Sequence, residues 1–312
     1  MSQVYLDVLF RDWILGGIFR ESSSVSAREI SITYINTSRY SLGNMLAKAG
    51  NRKLSFNPGD LIVNQGTLFT LIEQNRIDLS SLSDVGCYFT HDSKSNLINY
   101  RGILTQLRKI LVMNLQDMKL LVEIGVDARK ILIVYGAVDS NVYYPREDLR
   151  GLIQYIYVTG DAKGRKNPEK IVDLIEASPE LHFVINGRFW LDYLRKAKIH
   201  PRNCEVLEFE PNKNPELMRN ASCFLSLSLH EGGPYPVLEA LASGTPVVAT
   251  PTGWNPELIS DSNGRLVAFD ISIAELKLVL QEMINLKGVV YRCDLTNGDF
   301  TWAKLATLLY ES

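Results

Sequence analysis

Cysteine and histidine are both scarce in this chain, with four of each in 312 residues. Cys87, Cys204, Cys223 and Cys293 are scattered and form no C-x-x-C pair. Neither a zinc site nor a disulfide framework is indicated, and buried free thiols are the expected outcome. No histidine cluster has metal-ligand spacing and Asp-x-Asp is absent, so no chelated divalent ion is expected. The loop after the first apolar run lacks Gly-x-Gly-x-x-Gly, which argues against a dehydrogenase. No window reaches the ~18–20 apolar residues of a membrane span, and Asp7 and Asp12 interrupt the N-terminal apolar stretch, making it a poor signal peptide. The expectation is a cytoplasmic protein without a transmembrane segment, with peripheral membrane contact left open. A charge excess is also missing: 33 Lys and Arg face 35 Asp and Glu, for a net −2. That leaves no electrostatic footprint for nucleic acid.

What is present is ordinary globular composition, 46% hydrophobic and 22% charged, in a chain long enough for two domains. Apolar β-rich runs alternate with helical patterns, the signature of parallel sheets with crossover helices. Strands are expected near 4–10, 31–35, 60–64, 86–90, 109–113 and 131–135, then near 153–158, 181–185, 204–209, 223–227 and 247–250. The turn-rich stretch 136–151 separates the two sets, placing a domain boundary after residue 147. The fold class is therefore α/β: two doubly wound, Rossmann-like parallel-sheet domains, 1–147 and 148–298, with ligand loops at the carboxyl ends of their strands and a site in the cleft between them.

Residues 230–258, HEGGPYPVLEALASGTPVVATPTGWNPEL, carry the densest chemistry. Glu231 and Glu239 bracket a turn containing Gly232, Gly233, Pro234, Tyr235 and Pro236. Pro236 suits a helix's first turn, and Gly244 followed by Pro246 suits its end. Such a loop delivers chain to a helix N-terminus, where N–H groups and the helix dipole favour an anion. Glu239 is expected in or near the helix's first turn. The loop 159–168 places Gly160, Lys163, Arg165 and Lys166 ahead of a helix started by Pro168, a cation set suited to a diphosphate. In the first half, the Gly16-Gly17 pair after the first strand permits close backbone approach to a ligand. His91 stands at the carboxyl end of another strand.

These residues resemble the group 1 (family 4) retaining glycosyltransferases of the GT-B fold. The family's element E-G-F-G-L-P-L-L-E-A-M-A-x-G-T-P-V-V is similar to EGGPYPVLEALASGTPVV at 231–248. Its G-G-x-P-E-L-I-x-D-x-x-N-G-x-L-V resembles TGWNPELISDSNGRLV at 252–267, and its inter-domain V-I-P-N-G-V-D-x-x-x-F-x-P resembles IVYGAVDSNVYYP at 133–145. FTWAK at 300–304 resembles the terminal F-S-W-x-x helix, which implies that 299–312 crosses back to the first domain. The resemblance further implies that Glu239 binds the ribose of a nucleotide sugar. Glu231 would face the donor sugar and its departing phosphate, and backbone N–H groups of 233–235 with Gly17 would contact sugar and diphosphate. Lys166 and Arg165 match the basic end of a G-R-x-x-x-(R/K)-K loop, whose arginine is replaced by Asp161, so that Lys163 or Arg165 must supply that charge. His91 matches a histidine that contacts the transferred sugar.

The implied activity is metal-independent transfer of a sugar from a nucleotide diphosphate donor to an acceptor hydroxyl, with retention, no cofactor beyond the donor, and the leaving phosphate taking the acceptor's proton. Two other readings stand beside it. One is a degenerate subunit that binds sugar nucleotide without catalysis; the other is a phosphorylase or epimerase of the same fold.

Overall fold

The computed structural model describes residues 2–12, 14–37, 53–145, 154–286 and 300–311. The chain divides into two compact units, Met1–Ala137 together with Phe300–Ser312, and Val138–Asp299. Cys293 and the boundary expected after residue 147 lie outside the described residues.

The first unit is built on a six-stranded parallel sheet of β1 (Ser2–Asp7), β2 (Ile30–Ile35), β3 (Leu61–Val63), β4 (Gly86–Tyr88), β5 (Lys109–Val112) and β6 (Ile131–Ile133), in the order β2-β1-β3-β4-β5-β6. Strands buried on both faces read as continuous apolar runs; Leu61, Ile62 and Val63, and Ile110, Leu111 and Val112, are 1% exposed or less. The first strand is shorter than the 4–10 expected. Asp7 ends it by accepting a hydrogen bond from Leu9 N at 2.9 Å, which caps a 3-10 turn over Val8–Phe10. The helix Trp302–Tyr310 packs within this unit. Tyr310 Oη lies 2.8 Å from Ser22 Oγ, its carbonyl accepts from Arg28 at 2.9 Å, and the carbonyl of Leu309 accepts from Lys109 at 3.1 Å.

The second unit repeats the plan with β7 (Ile156–Thr159), β8 (Phe183–Asn186), β9 (Cys204–Leu207), β10 (Cys223–Ser226), β11 (Val247–Ala249) and β12 (Gly264–Leu266), in the order β12-β11-β10-β7-β8-β9, all parallel. β12 was not expected. It is three residues long and contains Gly264 and Arg265, so it lacks the apolar run that announces the others; its register against Val247–Ala249 is what makes it a strand. Gly264 is needed there, since a Cβ would stand 2.2 Å from Val247 O. Two cores cover the sheet's faces. One is centred on Ile156, Phe183, Trp190 and Leu276, the other on Tyr157, Phe224, Val237 and Leu241. No helix among the described residues is long and apolar enough to cross a membrane.

Candidate functional site

In the second sheet the chain runs outward through β7, β8 and β9, then returns to the other side of β7 with β10, β11 and β12. The direction of winding therefore reverses between β7 and β10. In open α/β sheets, loops leaving adjacent strands at such a reversal part to opposite faces and open a crevice at the strands' carboxyl ends. The loop 160–167 leaves β7 there and the loop 227–234 leaves β10. A hydrogen bond from Leu229 N to Arg165 O, 2.8 Å, ties the two together.

Three of the sequence-predicted residues meet at this point. Glu231 accepts from Arg165 Nη1 at 2.6 Å and pairs with Lys166 Nζ at 2.5 Å. The glutamate side chain is 10% exposed and that of Lys166 16%, whereas Arg165 is 42% exposed. Burial acts to raise the Glu231 carboxyl, but the Lys166 and Arg165 charges outweigh it and hold the group below the ordinary glutamate range. Lys166 lies against Gly160, whose φ of +111° only glycine adopts readily; a Cβ there would sit 3.3 Å from Lys166 Cε. Trp190 Nε1 donates to Gly160 O at 2.8 Å, and Gly187 approaches that carbonyl so closely that a Cβ would stand 2.0 Å from it. The turn that carries the cations is thus fixed from below by β8's loop.

Lys163 stands apart from this triad. Its ammonium is 3.3 Å from Asp161. The same carboxylate receives a two-pronged guanidinium contact from Arg188, Nε and Nη2 each at 3.0 Å. These cations hold the Asp161 carboxyl low against the opposing effect of burial. Arg188 follows β8 and had no motif to mark it. Its guanidinium lies 5.9 Å from the ring of Phe189 and 5.7 Å from that of Phe209, and Phe189 has a left-handed φ of 71°.

The helix Tyr235–Ala242 starts with Pro236 in its first turn, and no side chain caps its N-terminus. Beneath the turn, Gly253 has φ +55°, and a Cβ there would meet Gly232 O at 2.4 Å; this explains glycine at 253. Glu239 is the fifth residue of the helix, which begins at Tyr235, and so stands just past the first turn, near where it was expected. Its side chain is half-buried by surface area yet surrounded by protein atoms, and this loss of solvation pushes its pKa up to about 7, against a hydrogen bond from Tyr143 that lowers it. Tyr143 is itself held well above the usual phenol range, by burial first and then by the Glu239 charge. It was not among the expected site residues.

The remaining candidates belong to the first unit. Gly16 and Gly17 lie inside the helix Ile14–Ser24, after the turn that follows β1. They differ in kind: a Cβ on Gly16 would stand 2.2 Å from Arg11 O and 2.4 Å from Phe10 O, whereas one on Gly17 would meet nothing within 4 Å. Gly16 serves close packing of helix on turn, and Gly17 leaves an open backbone surface. His91 lies past the end of β4, half-buried, and its carbonyl accepts from Gln65 Nε2 at 2.6 Å. Among the described residues, no group of three or more His, Cys, Asp or Glu is placed to hold a metal ion.

Two doubly wound six-stranded sheets of this order define the GT-B fold, and solved structures of that class align along the whole chain. HepE of Anabaena in complex with UDP-glucose superposes with a TM-score of 0.71 at 14% identity, covering 100% of this chain and 98% of that one. The sucrose-phosphate synthase of Thermosynechococcus elongatus gives 0.72 at 14% identity with the same coverage. A glycosyltransferase of Rickettsia africae gives 0.67 at 11% identity, covering 98% and 95%. No curated protein matches the sequence itself. Residues 153–294 match the model of glycosyl transferases group 1. That match falls within the second unit, and the chain as a whole has the GT-B fold.

Proposed function

We propose that this protein transfers a sugar, with retention and without a metal, from a nucleotide diphosphate donor to an acceptor hydroxyl. The observation that supports it most directly is the Lys166–Glu231–Arg165 cluster at the winding reversal, beside the uncapped N-terminus of the helix Tyr235–Ala242. Charge separation is the difficulty in glycosyl transfer: the sugar becomes cationic as a diphosphate departs. Fixed cations and N–H dipoles on the leaving group lower that barrier, each such donor contributing about 2.7–4 kcal/mol. Lys166 and Arg165 are assigned to the diphosphate together with the N–H groups of Gly233 and Tyr235, and Arg188 replaces the positive charge missing at Asp161. Glu231 orients the two cations and faces the reacting sugar, while Glu239 accepts from the ribose hydroxyls. The leaving phosphate takes the acceptor's proton.

The solved complex of HepE with UDP-glucose makes uridine the first base to try. A thermal-shift panel of UDP, GDP, ADP and dTDP sugars identifies the donor, because a ligand at 100 times its Kd stabilises by about 2.7 kcal/mol. With that donor, Glu231→Gln should lose transfer by about a hundredfold or more while still binding nucleotide. A wild-type protein that consumes no donor with any acceptor would refute the enzyme reading. Product of inverted anomeric configuration would refute retention.

A further inference from the structure

The pattern V-D-x-x-x-F-x-P that 138–145 resembles has phenylalanine where this chain has Tyr143. The difference is one oxygen, and that oxygen donates its hydrogen bond to Glu239. The segment carrying it is pinned on both sides. Tyr143 N donates to Asp139 O at 2.8 Å, and Asn141 N to Asp139 Oδ1 at 2.8 Å. On the other side the Arg219 guanidinium stacks 3.7 Å from the centroid of the Tyr144 ring, donating to Val142 O at 2.9 Å and Tyr144 O at 3.2 Å. Tyr143 is therefore presented by flanking residues that are themselves held.

We propose that Tyr143 is a positioning residue for the donor's ribose: its hydroxyl occupies one side of the Glu239 carboxylate and keeps that group an oriented acceptor for the 2′- and 3′-hydroxyls. This rests on the assignment of Glu239 to the ribose made above. An ionised carboxylate offers about four lone-pair sites, so one phenol leaves room for a diol. Hydrogen bonds to an ionised acceptor are roughly twice as strong as those between neutral groups, so the ribose gains most when Glu239 carries its charge. Buried with no donor, the carboxyl would take up a proton and lose that advantage. The ionisable groups coupled to Glu239 are Tyr143 and, from β7, Tyr157. Tyr157 does not serve it, since its hydroxyl donates to Asn214 Oδ1 at 2.5 Å.

The test measures dissociation constants of UDP, GDP and ADP and of their 2′,3′-dideoxy forms between pH 5.5 and 8.5. Wild type, Tyr143→Phe and Glu239→Gln are compared. The dideoxy-to-ribose ratio isolates the ribose contact, because the phosphates titrate alike in both forms. In the wild type the ratio should be largest at high pH and fall as pH drops through about 7, where Glu239 becomes protonated. Tyr143→Phe should lower the ratio at pH 7 about tenfold and move its midpoint up by about one pH unit, with dideoxy affinity unchanged. Glu239→Gln should flatten the profile. A Tyr143→Phe protein that keeps the wild-type ratio and midpoint, or that weakens ribose and dideoxy forms equally, overturns the proposal while Glu239 keeps its role. A Glu239→Gln protein with an undiminished ratio, or a wild type that binds none of the nucleotides, overturns the ribose assignment and this proposal with it.

Discussion

Glu239→Gln should make the ligand-free protein more stable at pH 8 while weakening its hold on nucleotide. The carboxyl titrates from an ordinary 4.5 to about 7 in the folded protein. Because the folded value is raised, the folded state binds the proton more tightly than the unfolded chain, and stability falls as pH rises between these two values. At about 1.36 kcal/mol per tenfold, that range corresponds to about 3 kcal/mol once Glu239 is fully ionised. The side chain is half-buried, and solvent reaching it reduces the expected gain to about 1–3 kcal/mol. Glutamine keeps an acceptor for the Tyr143 hydroxyl and carries no charge to desolvate, so the substitution removes the cost without orphaning its partner. In a domain of 150–250 residues, each kcal/mol moves Tm by about 2–4 °C.

The assay is urea unfolding of wild type and variant without nucleotide at pH 8, 5 and 4. The variant should lead by about 1–3 kcal/mol at pH 8, by under about 1 at pH 5, and by nothing at pH 4, where both chains carry a neutral side chain at this position. Equal differences at all three pH values would show that Gln acts through packing. A variant less stable at pH 8 would refute the desolvation of Glu239 outright.

Lys166→Met leaves Glu231 paired with the more exposed Arg165 alone, and removing a partner from a buried ion pair costs about 3–5 kcal/mol. It should lower the urea midpoint at pH 7, with the loss shrinking as pH falls from the ordinary glutamate value of 4.5 through the depressed folded one, because a depressed carboxyl loses its stabilising charge over that range. Gly16→Ala drives a Cβ against the carbonyls of residues 10 and 11 and should cost about 1–3 kcal/mol. Gly17→Ala meets open space and, as a helical Gly-to-Ala change, should be neutral or stabilising by up to about 1 kcal/mol. Similar losses of stability at both glycines would contradict the geometry that separates them.

The sheet plan was readable because parallel strands buried on both faces must be apolar throughout, and runs such as Ile110, Leu111 and Val112 have no other economical use. β12 was not, because its pairing with β11 rests on register and on Gly264's approach to Val247 O, neither of which leaves an apolar signal. The Glu231 loop announced itself through glycine and proline chemistry, and Lys166 and Arg165 through their place before Pro168. What spacing did not reveal was that both cations converge on one carboxylate.

Asp161 shows why single departures from a family pattern mislead when read along the chain. An acid in place of an arginine subtracts charge from the loop, yet in three dimensions the acid draws in Arg188 from the neighbouring strand's loop at 3.0 Å through two nitrogens. A guanidinium thus stands beside the loop that lost one, delivered by β8 instead of β7. Tyr143 has the same logic: a hydroxyl 96 residues from Glu239 is silent in sequence and acts in space, because its hydrogen bond lowers a carboxyl that lost solvation raises. Both substitutions act on charge at this one sheet edge. A protonated carboxyl, such as lost solvation would otherwise make of Glu239, is a poor acceptor for a diol, and a loop short of one cation is a poor partner for a diphosphate. The compensations arrive from different elements, so their effects on ribose and on diphosphate affinity should be separable, Tyr143 moving the first and Arg188 the second.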